Sequence, residues 1–462
     1  MTSVSASAGI NPPRSRWVEY LIPILLAAVL LYPFGNDIEG RRVHGDENWH
    51  FVISSHFFSL FFLERDFDSP LWENDWAFDQ PMGGRYLYGS LLWLEGGRER
   101  VNEMMRFPMW RFNQSHTWNE KTGRVPPKEA LVYARSCLAA VGLSACILFY
   151  FIGRIVSGRL AGIAAALLLG FNELMLSYSK RVMSDGPLLF FTGAALLGTL
   201  FFVVACRNNQ RVRAWMLSVT VGLCVAASAS IKLNGGLAGV FFAFVILYMG
   251  IAEACFGGRD MPRSSARMER TVSFFRRLLY PVRYGLLAGV VALVGFFAIS
   301  PNFYHEPLKG VPRMVAWRKS VVEAQRTPKN SLADRDKKVN LVWERVFWPS
   351  RKNRSTLTQA FNFPVELIFA VAGLAGIAFR EWRHLRTHGV PSLGSIAMLW
   401  CLIVFFGVAF WIPLTWPRYF LPLFPPVILL SALGFQDLIN GGRCVCDAVM
   451  GRGKVDGRIS LR

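Results

Sequence analysis

Residues Gly236–Phe256 read GLAGVFFAFVILYMGIAEACF. A bilayer core needs roughly 20 apolar residues in a helix. This run supplies them, and its one charged residue, Glu253, lies near the end. Similar runs toward the N-terminus predict spans near Trp17–Phe34, Leu131–Ile152, Arg159–Tyr178, Pro187–Cys206 and Ala214–Ile231. Toward the C-terminus they predict spans near Val282–Ser300, Phe363–Phe379, Ser395–Leu414 and Tyr419–Leu438. The chain therefore reads as an all-α polytopic membrane protein with about ten spans, and roughly ten to thirteen if interrupted runs are divided. Pro and Gly interrupt several of the runs.

Composition agrees. Hydrophobic residues are 53% of the 462 and charged residues 18%, where a soluble domain carries about 25% charged. The mean hydropathy is +0.31. The net charge of +20 would suggest nucleic acid in a soluble chain. Here the basic residues lie between apolar runs, which assigns them to topology and anionic lipid. No nucleic-acid partner is expected.

Cations in the short loops set the orientation. Arg14 and Arg16, Arg154 and Arg159, and Arg207, Arg211 and Arg213 fall on one side. So do Arg259, Arg263, Arg267, Arg270, Arg276, Arg277 and Arg283. Arg380, Arg383 and Arg386, then Arg443, Arg452, Lys454, Arg458 and Arg462, complete the series. A cytoplasmic N-terminus and an even number of spans put all of them inside. Gly35–Ala130 and Pro301–Asn362 then form two long non-cytoplasmic loops. One transmembrane domain is expected over residues 1–438, with a basic cytoplasmic tail at 439–462. Span one is long for a signal-peptide core and no Ala-x-Ala site follows Phe34, so it reads as an uncleaved anchor. None of the eight cysteines falls in either outer loop. Cys444 and Cys446 lack the further ligands a metal site needs.

The first outer loop is dense in acids and aromatics. His44-Gly45-Asp46-Glu47-Asn48-Trp49-His50 opens it, and Phe51–Leu63 reads as an amphipathic interfacial helix. Trp72-Glu73-Asn74-Asp75-Trp76-Ala77-Phe78-Asp79 and then Met82-Gly83-Gly84-Arg85-Tyr86 follow. Carboxylates at a membrane surface suit a general base that deprotonates a hydroxyl, and they equally suit helix capping in a solvated loop. Lys180 and Arg181 depart from the inside bias, as do Lys232 and Arg418. Outward cations suit either a phosphate ligand or lipid headgroups. Asp185, just before Pro187, can cap its helix. No phosphate-binding Gly-rich loop or Gly-x-Ser-x-Gly elbow occurs.

At this point the motifs resemble a family. The chain is similar to polytopic glycosyltransferases of the C superfamily, in the protein O-mannosyltransferase-like branch (glycosyltransferase family 39), and to the related aminoarabinose transferases. Asp46-Glu47 matches the family's Asp-Glu pair after the first span, and Gln80–Leu87 resembles its His-Pro-Pro-Leu-Gly-Lys-Leu-Leu segment. Met82 and Gly83 stand where the family has Pro and Leu. Tyr133-Ala134-Arg135 matches Tyr-x-Arg, Arg181–Leu189 matches Arg-x-x-x-x-Asp-x-Pro-Leu-Leu, and Pro417–Leu423 matches Pro-Arg-Tyr-x-x-Pro. Pro301–Asn362 is too short for the carbohydrate-binding module of yeast-type members.

The resemblance implies inverting transfer of a sugar from a polyprenyl-phosphate donor to a hydroxyl of lipid, glycan or protein. Asp46 would be the base, with Glu47 orienting it or the sugar. Arg85, Lys180, Arg181 and Arg418 would hold the donor phosphate. Asp79, Asp185, His305 and Tyr419 would position acceptor or sugar. No cofactor is implied. A divalent ion on Asp46, Glu47 and Asp185 is the less favoured arrangement. The outward face of a prokaryotic plasma membrane is the expected location, with the endoplasmic reticulum as the other choice. The rival class is a transporter or flippase, which would place charges near mid-membrane rather than at helix ends.

Overall fold

The computed structural model describes residues 17–256, 278–327, 330–332, 334–347, 364–388 and 390–449, with backbone alone at 17–18, 335 and 443–449. The basic residues expected inside at 14, 16, 259–277 and 452–462 fall outside these, as do the side chains of Arg443, Cys444 and Cys446.

Every expected span meets a helix. In chain order these are α1 (Trp17–Gly35), α2 (Gly45–Phe58), α3 (Asp75–Asp79), α4 (Met82–Met105), α5 (His116–Lys121), α6 (Lys128–Val156), α7 (Arg159–Gly170), α8 (Glu173–Ser179) and α9 (Asp185–Arg207). Then come α10 (Arg211–Ile231), α11 (Leu237–Phe256), α12 (Val282–Ala298), α13 (Pro307–Ala324), α14 (Arg335–Val342), α15 (Val365–His388), α16 (Leu393–Trp411) and α17 (Phe424–Val449). Six of the described helical segments are long and apolar enough to cross a membrane alone, or seven if α7 and α8 count as one broken span. Residues 19–35 of α1, and α12, are apolar but shorter. α17 continues past residue 438, where a separate tail was expected.

The expected span Arg159–Tyr178 bends by 64° between α7 and α8. Hydropathy runs through the break, but Asn172 caps the second arm by accepting from the Met175 N–H at 3.0 Å. A large apolar core ties α6, α7, α9, α11, α16 and α17 together.

The first outer loop has cores of its own. Phe51 and Phe58 of α2 pack with Tyr88, Leu91 and Leu92 of α4 and the start of α6. Ile53, Phe57, Trp72, Phe78 and Met82 join Phe303 and Met314 from the second loop. α2 is therefore buried on most sides. α4 seats against the end of α10: a Cβ on Gly83 would lie 2.7 Å from Ser230 Cβ and 2.8 Å from its carbonyl oxygen. That contact explains glycine where the family has leucine.

Candidate active site

The site begins at the N-terminus of α2. His44 Nδ1 accepts from the Asp46 N–H at 3.2 Å, and Glu47 Oε2 accepts from the His44 N–H at 2.8 Å. This reciprocal capping fixes the first turn and sends two adjacent carboxylates in different directions.

Glu47 points inward and is fully buried. Arg135 of α6 grips it with Nε at 2.8 Å and Nη2 at 2.7 Å, and the Val182 N–H donates at 3.0 Å. Arg135 Nη1 also donates to the carbonyls of Ile38 and Arg41. Burial raises the Glu47 carboxyl, but Arg135 and the two backbone donors more than reverse this and hold it low. With every lone pair engaged, Glu47 fixes the backbone beneath Asp46.

Asp46 faces the other way and keeps 19% of its side chain exposed. Its Oδ2 accepts from Arg418 Nη1, which is brought back from the far end of the chain. Burial pushes this carboxyl up, yet Arg418 and His44 outweigh it and hold the pKa below the usual value. The guanidinium lies over Trp416 at 5.1 Å and Tyr419 at 5.5 Å, and those two rings stack 6.0 Å apart.

Near this pair, on the side of Asp185, lies a narrow apolar cleft of about 40 Å³. Leu188 and Leu189 of α9, Leu237 of α11, Trp400 and Val404 of α16, and Leu421 line it. Its polar lining is Asp185, Thr192 and Asn234. Asp185 is buried and paired with Lys232 Nζ at 3.0 Å. Asn234 Oδ1 is buried without a partner. Asp185 also interacts electrostatically with Arg418, which links cleft and ion pair.

The other expected residues divide. Tyr419 stands at the ion pair. Asp79 binds Arg318 of α13 at 3.0 Å, and Arg313 donates to the Glu73 carbonyl at 2.9 Å, so the second outer loop is fastened over the first. Arg85 is buried beneath the site, donating to the Trp76 carbonyl and lying 5.0 Å over Phe57. Burial lowers its pKa to about 10, leaving it cationic at neutral pH. Lys180 is drawn away: its Nζ donates to the Asn36 carbonyl at 2.9 Å, closing the end of α1. Arg181 is half-buried and forms no ion pair among the described residues. His305 is exposed on the turn after Pro301–Phe303.

Three residues gain roles that the motifs did not give them. Arg135 appeared only as a family match, and Lys232 only as an outward cation. His50, quoted in the opening stretch, lies one helical turn beyond Asp46 on the same face. Its ring packs 4.8 Å from that of Tyr88. Burial drives its pKa down to about 4 against the pull of Asp46. Each carboxylate considered for a metal has its own cation instead: Arg418, Arg135 or Lys232. Among the described residues no three His, Cys, Asp or Glu side chains gather as metal ligands.

The described residues form a helical membrane bundle whose acid-bearing first loop meets Arg418 through Asp46. AglB, the oligosaccharyltransferase of Archaeoglobus fulgidus, solved with an inhibitory peptide and a dolichol-phosphate, superposes over 96% of this chain and 53% of its own, with TM-score 0.51 and 13% identity. The chain is a multi-pass membrane protein with the C-type glycosyltransferase fold. More particularly, residues 77–256 match the model of the dolichyl-phosphate-mannose-protein mannosyltransferase family.

Two other solved structures are similar at lower TM-scores. ArnT from Cupriavidus metallidurans, bound to undecaprenyl phosphate, gives 0.47 at 14% identity, over 94% of this chain and 65% of that one. The S. cerevisiae Pmt1-Pmt2 complex bound to its sugar donor gives 0.41 at 16%, over 64% and 34%. The chain spans about half the length of AglB. No curated protein matches it in sequence.

Proposed function

We propose that the protein is a membrane glycosyltransferase that moves a sugar from a polyprenyl-phosphate donor to a hydroxyl acceptor. The observation that carries this is the Asp46–Arg418 pair at an apolar cleft. It sets a carboxylate base beside a cation suited to a phosphate, near an apolar lining suited to a lipid chain. The mannosyltransferase-family match over residues 77–256 supports the same reading.

In this mechanism the acceptor oxygen attacks the anomeric carbon from the side opposite the phosphate. Its proton passes to Asp46 as the carbon–oxygen bond to phosphate breaks. The polyprenyl phosphate leaves with increased negative charge, which Arg418 stabilises where it develops. A guanidinium has five N–H donors, so Arg418 can hold the carboxylate and the phosphate together. The configuration at the sugar inverts. Arg181, free of ion pairs, is the second candidate for the phosphate. Lys180 and Arg85 each donate to a backbone carbonyl, those of Asn36 and Trp76, and in this reading support structure. Lys232 and Asp185 set the polar edge of the cleft. Lipid, glycan and protein hydroxyls all suit the chemistry. The site faces outward from a prokaryotic plasma membrane in this proposal, since the short-loop cations fall at the other helix ends.

The test is purified protein in proteoliposomes with radiolabelled polyprenyl-phosphate mannose, the sugar named by the family model. Donor-dependent labelling of endogenous acceptors from washed membranes is expected. Movement of the donor across the bilayer without transfer would place the protein with flippases instead.

A further inference from the structure

The acidic side chains around Asp46 are each paired with a cation. Glu47 is held by Arg135, Asp185 by Lys232, Asp79 by Arg318, and Asp46 itself by Arg418. His50 is different. Among α2 side chains, Asp46, Glu47, Asn48 and Ser55 take part in hydrogen bonds, and His50 makes none with the described residues. Yet its ring is fixed. Tyr88, itself 1% exposed, packs against one face, and α2 is held through the Glu47–Arg135 pair. The ring is partly exposed, and both nitrogens are free to meet a bound hydroxyl.

Its position says which partner. The spacing from Asp46 puts the two side chains side by side on one face of α2. The charged groups that act on the ring are Asp46 on its own helix, Asp79 on α3, Arg85 on α4, and Arg418. The cations and burial prevail, so the imidazole is neutral and offers one donor and one acceptor. Asp79, on the same side, is tied to the second-loop helix α13. His50 thus neighbours both Asp46 and the outer-loop acid Asp79, and it does not line the apolar cleft of α9, α11 and α16.

We propose that His50 positions the acceptor hydroxyl. Its ring N–H donates to a lone pair of the attacking oxygen while that oxygen's own proton points at Asp46. The imidazole does not take the proton. It fixes the direction of attack, and it is a positioning residue for the same reaction proposed above, on which this role rests.

The experiment uses the full chain in proteoliposomes with polyprenyl-phosphate mannose and endogenous acceptors from washed membranes. His50→Phe keeps the ring packed on Tyr88 and removes both nitrogens. His50→Gln keeps a donor and an acceptor but has no basic nitrogen that could take the proton. Loss of one neutral hydrogen bond predicts that His50→Phe lowers kcat roughly tenfold, with the donor KM unchanged, and that His50→Gln restores most of the rate. If His50→Phe transfers like the wild type, His50 has no role in the reaction. If its donor KM rises instead, the ring serves the donor and the proposal fails. If His50→Gln is as slow as His50→Phe, the ring carries the proton and positioning is wrong. A wild type without donor-dependent transfer would refute the glycosyltransferase reading itself, an outcome distinct from all of these.

Discussion

Asp46 and Glu47 are neighbours in sequence, yet they open onto two different regions. Inward, Glu47 meets a closed region in which Arg135 and two backbone N–H groups engage the whole carboxylate. Outward, Asp46 meets one guanidinium and open space. Residue type does not separate structural from chemical acids here. The number of fixed partners does, together with access. A fully engaged carboxylate rigidifies the frame, and one with a free lone pair can receive a proton.

The sharpest way to break this contrast is to neutralise the inner acid. Glu47→Gln leaves Arg135 as a buried, unpaired cation, which costs roughly 3–5 kcal/mol of stability. A thermal melt in detergent should show poorly folded or unfolded protein. A melt near wild type would mean that the inner pair is not what holds α2.

The outer acid should behave in the opposite way. Asp46→Asn breaks a part-exposed pair and should cost far less stability than Glu47→Gln, yet lose about 10²- to 10⁴-fold in transfer rate. Near-normal transfer at equal protein level would remove Asp46 as the base.

A third test sharpens the comparison through pH. Asp46 has a folded pKa below its ordinary value, because Arg418 and His44 outweigh burial. Its contribution to stability is present above the ordinary carboxylate pKa and fades as pH falls through the depressed one. The Asp46 carboxylate is thus ionised throughout the neutral range. Arg418→Gln removes the main lowering influence, so the acid limb of the kcat/KM profile should move to higher pH. A limb that stays in place would show that Asp46 is not the group titrating.

The smallest effect concerns the clasp between the outer loops. Arg318→Ala breaks the part-exposed pair with Asp79, and such pairs contribute about 0–1 kcal/mol. The melt should barely change, while acceptor KM should rise if the second loop covers the acceptor. An unchanged acceptor KM would confine the clasp to packing.

Much of the fold was legible because a bilayer imposes a length and composition on each span. What hydropathy could not show was the break at Asn172, since Leu167–Leu169 and Leu174–Leu176 keep the pattern apolar across it. The site was legible in part. Asp46 stood out by motif and Arg418 by its place outside the cation bias, but nothing local pairs residues 372 apart. Lys180 looked like Arg181 in sequence; the carbonyl of Asn36 separates their roles. His50 was invisible as a site residue because its neutrality comes from burial, which only the packed structure supplies.

The long reach of the Asp46–Arg418 contact also has a meaning in time. The Glu47–Arg135 pair joins residues 88 apart, so it can form once the second span has been inserted. Arg418 reaches Asp46 only after most of the described helices have been made. A growing chain would therefore hold its inner pair long before its outer one. A chain cut before residue 418 would keep Glu47 gripped by Arg135 and leave Asp46 without its guanidinium.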